Sequence, residues 1–253
     1  MRVASVLGRP VEIALNTMPT RYQKLIHDAS QAALKRGLIV VTTTLTQDSR
    51  RAVVNFSSAK KVTRRRGRWH ALASFGVGAA GGLFGALSLP MELPITTAII
   101  LRSIAATAQE FGLDLADPQT QLECLYVLGM GAKEGSNGYW TSRVAFAQLA
   151  REAAAFITNR TAQEILREME SHTAPLLIKF MSTVAARFEV VVSEKLLAEA
   201  LPVVGALGGG VINAAFTQYF SDAAHFHFGL RAIEGRYGRE AIENYYHSEE
   251  RAV

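Results

Sequence analysis

Two glycine-rich apolar stretches decide the fold of this chain, SFGVGAAGGLFGALSLP (Ser74–Pro90) and LPVVGALGGGVINAAF (Leu201–Phe216). Their glycines recur at spacings of three, four and seven, which places them on one face of a helix. Each interior glycine costs a helix about 1 kcal/mol relative to alanine, so we expect another body to pack closely against that face. The stretches predict two central helices that face each other or flank a slot for a flat apolar ligand. The glycines that define the two faces are Gly78, Gly81, Gly82, Gly85, Gly205, Gly208 and Gly209.

Helical periodicity continues on both sides of these stretches. Gly37 and Gly112 are expected to end helices, and Asp117 followed by Pro118 is typical of a helix start. The β-branched segment Leu38–Leu45 could form a strand, but a lone strand has no partner, so we expect a helix or an extended connection. The pattern predicts an all-α, single-domain bundle of about eight to ten helices with a central glycine-rich pair. Helices are expected over 20–35, 74–89, 94–111, 118–130, 142–157, 161–171, 174–200, 202–224 and 231–246, with a sharp connection over 90–94 and a polar loop over 131–140.

The chain reads as one helical domain over residues 1–253, because it has no clear repeat and no proline- or serine-rich linker. Within it we distinguish an N-terminal extension (1–21), a basic segment (48–70) and a C-terminal tail (239–253). No secretory signal is expected, since Pro10 and Glu12 break the first apolar run. A single cysteine excludes an internal disulfide and fits a reducing compartment. We therefore expect a cytoplasmic protein, with a peripheral position on the inner membrane face as the more specific prediction.

Charge is unevenly distributed along the chain. The net charge is +5, but residues 1–68 hold 14 Lys and Arg against 3 acidic residues, whereas the remainder holds 13 basic and 19 acidic residues. The cations concentrate just before the first glycine-rich stretch, and a tryptophan at such a junction favours a membrane interface. We expect contact with an anionic membrane surface; a solvated loop is the alternative, and nucleic acid is disfavoured because no interleaved aromatic residues accompany the run. The residues concerned are Lys60, Lys61, Arg64, Arg65, Arg66, Arg68 and Trp69.

Three polar residues lie in or beside apolar helices and are candidates for ligand binding. Arg102 is the only charged residue between Leu93 and Gln109, so it must pair, or reach water or a phosphate. Glu92 precedes it by about 15 Å of helix, so direct pairing would need a bend. Asn213 continues the glycine face and would need hydrogen-bond partners if buried. Each has a structural alternative, a buried ion pair for Arg102 and an interhelical hydrogen bond for Asn213. The candidate ligand-binding set is Glu92, Arg102, Gly205, Gly209 and Asn213.

The segments LPMELPITTAIILRSIAATAQEFGLDLADPQTQLECL (Leu89–Leu125), EKLLAEALPVVGALGGGVINAAF (Glu194–Phe216) and DAAHFHFGLRAIEGRYG (Asp222–Gly238) together resemble the EcsC family of bacterial proteins. The resemblance extends over residues 22–238. It implies a helical single-domain fold and a place in the bacterial cytoplasm near a membrane system. It implies no reaction mechanism.

Motifs for catalysis are missing from the sequence. The zinc-protease, P-loop and dinucleotide patterns are absent. Cys124 lies among leucines and reads as a buried apolar residue, and the D-x-x-H-x-H run at Asp222, His225 and His227 lacks the spacing of a helical metal site. We expect no catalytic residue, cofactor or metal. The sequence predicts a non-catalytic helical protein that associates with a membrane or binds a lipid or other apolar ligand, as an accessory to a transport system with a membrane transport protein as partner. The alternatives to this function are a hydrolase acting on lipid or peptide, which would need Glu92, Arg102 and Asn213 to converge, and an oligomeric scaffold.

Overall fold

The computed structural model describes residues 19–44, 89–130, 136–200 and 208–251. Within these ranges the chain forms eight α-helices and no strand, which confirms the predicted all-α, single-domain class. Of the predicted central pair of glycine-rich helices, the first (74–89) lies outside the described residues except for Leu89, and the second (202–224) is described from Gly208 onward, so their pairing stays a prediction. The basic segment (48–70) also lies outside the described residues, and the domain boundaries stay predictions. The helices are α1 (Thr20–Ile39), α2 (Leu89–Glu110), α3 (Pro118–Leu128), α4 (Ser136–Ile157), α5 (Ala162–Glu170), α6 (Pro175–Ala200), α7 (Gly208–Tyr237) and α8 (Arg239–Arg251).

Helix α1 does not end at Gly37 as predicted. Gly37 is buried inside the helix, and a Cβ placed on it would lie 2.7 Å from Leu101 Cδ1 and 3.2 Å from Leu125 Cδ2. The glycine therefore permits a close approach to α2 and α3 rather than a turn. A π-helical turn, Val40–Thr44, follows α1, so the β-branched segment is helical as far as it is described.

Helix α2 already includes the proline-containing segment for which we predicted a sharp connection. It begins at Leu89 and contains both Pro90 and Pro94. Pro90 lies in the first turn, where no intrahelical partner for its missing N–H is needed, and Pro94 removes one hydrogen bond of the second turn. Burial of the rest of α2 against α1 and α7 outweighs that loss.

Several predicted helix ends are confirmed. Asp117 caps α3 by accepting hydrogen bonds from the backbone N–H groups of Gln119 and Thr120, and Thr161 forms a capping box with Glu164 at α5. Gly112 follows α2 with a φ of 80°, which an L side chain rarely adopts.

Two other boundaries differ from the prediction. Ser136 to Trp140, predicted as loop, form the first turns of α4, and residues 131–135 lie outside the described part. Helix α7 runs without interruption to Tyr237 and stops at Gly238, whose φ is 84°. Both differences lengthen a helix. In α7 the apolar face continues past Ala224 through the buried Phe228.

Helices α2, α6 and α7 form the centre of the bundle. Helices α2 and α7 run in the same direction, because their contacting residues increase in number together along both helices. The contacting pairs are Glu92 with Asn213, Ser103 with Ser221, and Phe111 with His225. Helix α6 is antiparallel to α7. Lys195 of α6 contacts the Phe216 ring, whereas Phe188, two turns earlier in α6, contacts Phe220, one turn later in α7. These directions bring the start of α2, the end of α6 and the start of α7 to the same end of the bundle.

Candidate functional site: a buried polar cluster

Three helices contribute one polar side chain each to a buried cluster. The Lys195 Nζ atom of α6 donates a hydrogen bond of 2.8 Å to Glu92 Oε1 of α2. The Asn213 side-chain amide of α7 donates one of 2.7 Å to the same oxygen. The exposed fractions are 6% for Glu92, 1% for Lys195 and 0% for Asn213. The cluster is therefore a buried ion pair with an amide attached, and it ties α2, α6 and α7 together.

Lys195 reaches this position because it lies on the buried face of α6. Phe188, Val191 and Val192 precede it at spacings of seven, four and three residues, and all three are buried. Its Nζ atom also lies 5.8 Å from the centroid of the Phe216 ring, within the range of a cation–π contact. A lysine buried this completely needs an anionic partner, because desolvation of an unpaired ammonium costs several kcal/mol. Glu92 provides that partner.

Asn213 is only half satisfied. Its amide nitrogen donates to Glu92, but its Oδ1 atom is buried with no hydrogen-bond partner among the described residues. The hydroxyl of Thr96, one turn after Glu92 in α2, is likewise buried without a partner there. Buried polar atoms are nearly always hydrogen-bonded. This part of the α2–α7 interface therefore has acceptor and donor capacity left over for another polar group.

The cluster lies where both glycine-rich stretches join the described helices. The first stretch runs directly into α2 at Leu89, three residues before Glu92. The second connects α6, which ends at Ala200, to α7, which starts at Gly208. We call this end of the bundle the glycine pole. It is the one part of the described structure from which both stretches can be reached directly along the chain.

Apolar side chains are exposed near the glycine pole. Met91 and Ile95, one turn apart on α2, are 78% and 51% exposed, and Val211 in the first turn of α7 is 44% exposed. Arg102 lies further along α2 and is also exposed. The interpretation of Arg102 as half of a buried ion pair is therefore wrong; the guanidinium reaches water on the outer face of the helix. A helix face that exposes apolar side chains next to a cation, as α2 does, can contact a lipid interface.

The structure brings together two of the five predicted ligand-binding residues, Glu92 and Asn213. Arg102 is separated from them by its position on the outer face of α2. Gly209 belongs to the first turn of α7, whereas Gly205 lies outside the described residues, as do the six predicted membrane-surface cations and Trp69. Sequence reasoning missed Lys195. Its signal was a single lysine continuing an apolar face at Phe188, Val191 and Val192.

The cluster can bind and orient, but its described members do not form a catalytic site. Glu92 is already engaged by a lysine and an amide. Cys124 lies elsewhere in the core, where burial raises the pKa of its thiol far above the usual range, with the Glu123 carboxylate acting in the same direction. Among the described residues no group of three histidine, cysteine, aspartate or glutamate side chains could hold a metal ion.

Helix α2 is long and apolar enough to cross a membrane, the one such helix in the described ranges. However, 56% of its most apolar 18-residue window is buried inside the protein. It also carries buried polar side chains, among them Thr97, Ser103 and Thr107, that face other helices. The core helix of a soluble protein passes the same test of length and composition, so this helix is weak evidence for a membrane span.

Comparison with known proteins gives one match. The model of the EcsC protein family covers residues 1–233 of the 253 in the chain. No significant match was found among curated proteins or among solved structures. Because the family model spans most of the sequence, including the cluster residues Glu92, Lys195 and Asn213, the chain belongs to the EcsC protein family.

Proposed function

We propose that this chain is a non-catalytic helical protein that docks on the anionic inner face of a membrane and binds lipid there, as an accessory to a transport system. One observation carries the proposal. The basic segment (48–70) leads through an uncharged glycine-rich stretch directly into α2, whose first turns expose Met91 and Ile95. Cations followed by exposed apolar side chains are the two elements that interfacial binding needs.

Charge favours an anionic surface as the partner. Six cations fall within nine residues, Lys60 to Arg68, and each contributes about 1 kcal/mol near anionic lipid. Residues 69–253 carry 19 acidic and 13 basic residues, so this part of the chain would be repelled by the same surface. The protein would therefore bind in one orientation, with the glycine pole toward the lipid.

Peripheral docking is favoured over insertion of α2. Insertion would pull Glu92 away from Lys195 and Asn213 and expose the buried hydroxyls of α2 to hydrocarbon. Breaking a buried ion pair costs about 3–5 kcal/mol before those hydroxyls are counted. Docking through Met91, Ile95 and Val211 leaves the cluster intact.

A hydrolase is not supported by the described geometry, because Glu92 and Asn213 converge without Arg102 and without a nucleophile. The half-satisfied amide of Asn213 instead supports a role in holding the pole in a defined shape, with spare hydrogen-bonding capacity for a lipid head group.

The test is flotation of the purified full chain with two kinds of vesicle, one of phosphatidylcholine alone and one that also contains about 30% phosphatidylserine. A variant with six cations replaced by glutamine (Lys60, Lys61, Arg64, Arg65, Arg66, Arg68) should stay at the bottom of the gradient. The matched control replaces six exposed cations elsewhere (Lys24, Lys35, Arg36, Arg167, Lys179, Arg236) and should float. Equal flotation of the two variants would argue against docking through the basic segment.

A further inference from the structure

A second group of charged side chains surrounds a cavity away from the glycine pole. The cavity has a volume of ≈ 150 Å³ and lies between α3, α4, α7 and α8. A single water needs about 10–15 Å³ by the same kind of measure, so there is room for a small polyatomic ligand. Its charged lining residues are Glu123, Arg143, Arg151, Arg231, Glu234 and Arg239.

The charges lining the cavity do not balance. Arg143 makes a two-pronged ion pair with Glu234, in which Nη2 donates to Oε2 at 2.6 Å, and Arg231 pairs with Glu123. These two pairs use both carboxylates that line the cavity. The two further guanidinium groups, those of Arg151 and Arg239, leave the lining with a formal surplus of two positive charges.

Polar atoms at the cavity lack partners. The Arg239 Nη2 atom is buried with no hydrogen-bond partner in the described part of the chain. His227 is 4% exposed, and neither of its ring nitrogens has such a partner; Nε2 lies 3.6 Å from Glu123 Oε2, longer than a hydrogen bond. Buried donors and acceptors of this kind are normally satisfied. Two residues of one cavity therefore present unfilled donor capacity beside a surplus of positive charge.

The surroundings lower the pKa values of two neighbouring side chains in this cavity, His227 and Glu123. Burial lowers the pKa of His227, and Arg143 and Arg231 act in the same direction against the opposing effect of Glu123. Burial alone would raise the pKa of Glu123, but His227 and Arg231 lower it overall. Both oxygens of the Glu123 carboxylate already accept hydrogen bonds, from Arg231 and from Gln119.

One wall of the cavity is apolar. Tyr126 and Phe146 lie with their ring centroids 4.5 Å apart, and Ala147 and Ala150 adjoin them. A ligand with a charged end and a small uncharged end would be in contact with both walls.

We infer that this cavity binds a phosphate monoester or inorganic phosphate. A phosphate carries about −1.5 to −2 charges at pH 7, which matches the surplus of two, whereas a carboxylate would neutralise only one. Guanidinium groups bind phosphate oxygens in pairs, and Arg239 has a buried N–H free for that purpose. The two buried ring nitrogens of His227 add further hydrogen-bonding capacity. The charged end would be bound by Arg151, Arg239 and His227, and the remainder of the ester would pack on Tyr126 and Phe146.

Titration calorimetry of the full chain in a phosphate-free buffer tests this inference. The probes are inorganic phosphate, a soluble phosphate monoester such as glycerol 3-phosphate, and short-chain phosphatidic acid, whose head group is also a monoester. Binding of the first two identifies a soluble ligand, and binding of phosphatidic acid alone identifies a lipid head group; either supports the inference. If none of the three binds, the inference is overturned.

Variants assign the binding to the cavity. Arg239→Gln and Arg151→Gln should each weaken binding by about tenfold to 100-fold, the effect of losing one hydrogen bond to a charged group. Arg151 is exposed, so its replacement tests the site without disturbing the core. The matched control, Arg236→Gln, removes an exposed cation of α7 that does not line the cavity and should bind as the wild type does. Equal affinity in all three variants would overturn the assignment. Neutralising the basic segment should leave phosphate binding unchanged, which separates this site from membrane docking.

Discussion

Replacing Lys195 with methionine should destabilise the fold more than replacing Lys195 and Glu92 together. At 2.8 Å and an effective dielectric constant of 20, the attraction between the two charges is about 6 kcal/mol before desolvation is subtracted. Lys195→Met leaves the buried Glu92 carboxyl group without the Lys195 ammonium, and breaking a buried ion pair in this way costs about 3–5 kcal/mol. For a chain of this size that loss corresponds to a fall in Tm of about 6–20 °C.

The double variant Glu92→Gln, Lys195→Met removes both charges and keeps an oxygen to accept the Asn213 hydrogen bond. Its cost should be about 1–2 kcal/mol, smaller than that of either single variant. Urea unfolding followed by circular dichroism at 222 nm measures the three variants against the wild type. The control is Lys179→Met, an exposed lysine on the same helix, which should change stability by less than about 0.5 kcal/mol. Additive costs in the double variant would refute the reasoning, because the two side chains would then be shown not to interact.

Four further predictions concern single residues. Gly37→Val should lower the free energy of unfolding by about 1–3 kcal/mol, measured by urea unfolding, because its side chain would collide with Leu101 and Leu125; a neutral result would contradict the close packing. The lowered pKa of folded His227 means that the unfolded chain binds the extra proton below pH 6.5, so stability should fall as pH drops through that range, and His227→Leu should flatten the Tm–pH curve there. Asp117→Ala should cost about 1 kcal/mol in the same urea assay, the usual value of a helix cap, and Asp117→Asn much less. Cys124 should resist a thiol reagent such as 5,5′-dithiobis(2-nitrobenzoic acid) until the protein unfolds, since the thiol is buried and its pKa is raised; rapid labelling of the native protein would contradict its position in the core.

Local signals in the sequence were sufficient for the fold class and for most helix starts. Asp117 before Pro118 and Thr161 before Glu164 act through atoms three residues apart, so their roles can be recognised without the tertiary structure. Gly37 shows where this fails. A glycine after an apolar helical pattern predicts the end of a helix. At this position, however, a glycine is needed because Leu101 and Leu125 of two other helices leave no room for a side chain.

The sites depended on pairings that no local pattern encodes. Glu92 and Lys195 are 103 residues apart, and Arg143 and Glu234 are 91 apart. A sequence can mark such residues as charges in apolar surroundings, as it did for Glu92 and Arg102, but it does not say which meets a partner and which reaches water. The start of α2 lies beside the end of α6 because α2 is parallel and α6 antiparallel to α7. These directions follow from the packing of the whole bundle and not from any local sequence signal.

The membrane proposal is tested most directly by the partition coefficient of the full chain on vesicles as the cations of the basic segment are removed one at a time. Binding to phosphatidylserine-containing vesicles should fall by about fivefold for each of Arg64, Arg65 and Arg66 replaced by glutamine, the effect of about 1 kcal/mol per cation, and should fall further as salt is added. Vesicles of phosphatidylcholine alone should bind the chain weakly. A partition coefficient that is the same on both kinds of vesicle, or that is unchanged by the three replacements, would contradict docking on an anionic surface.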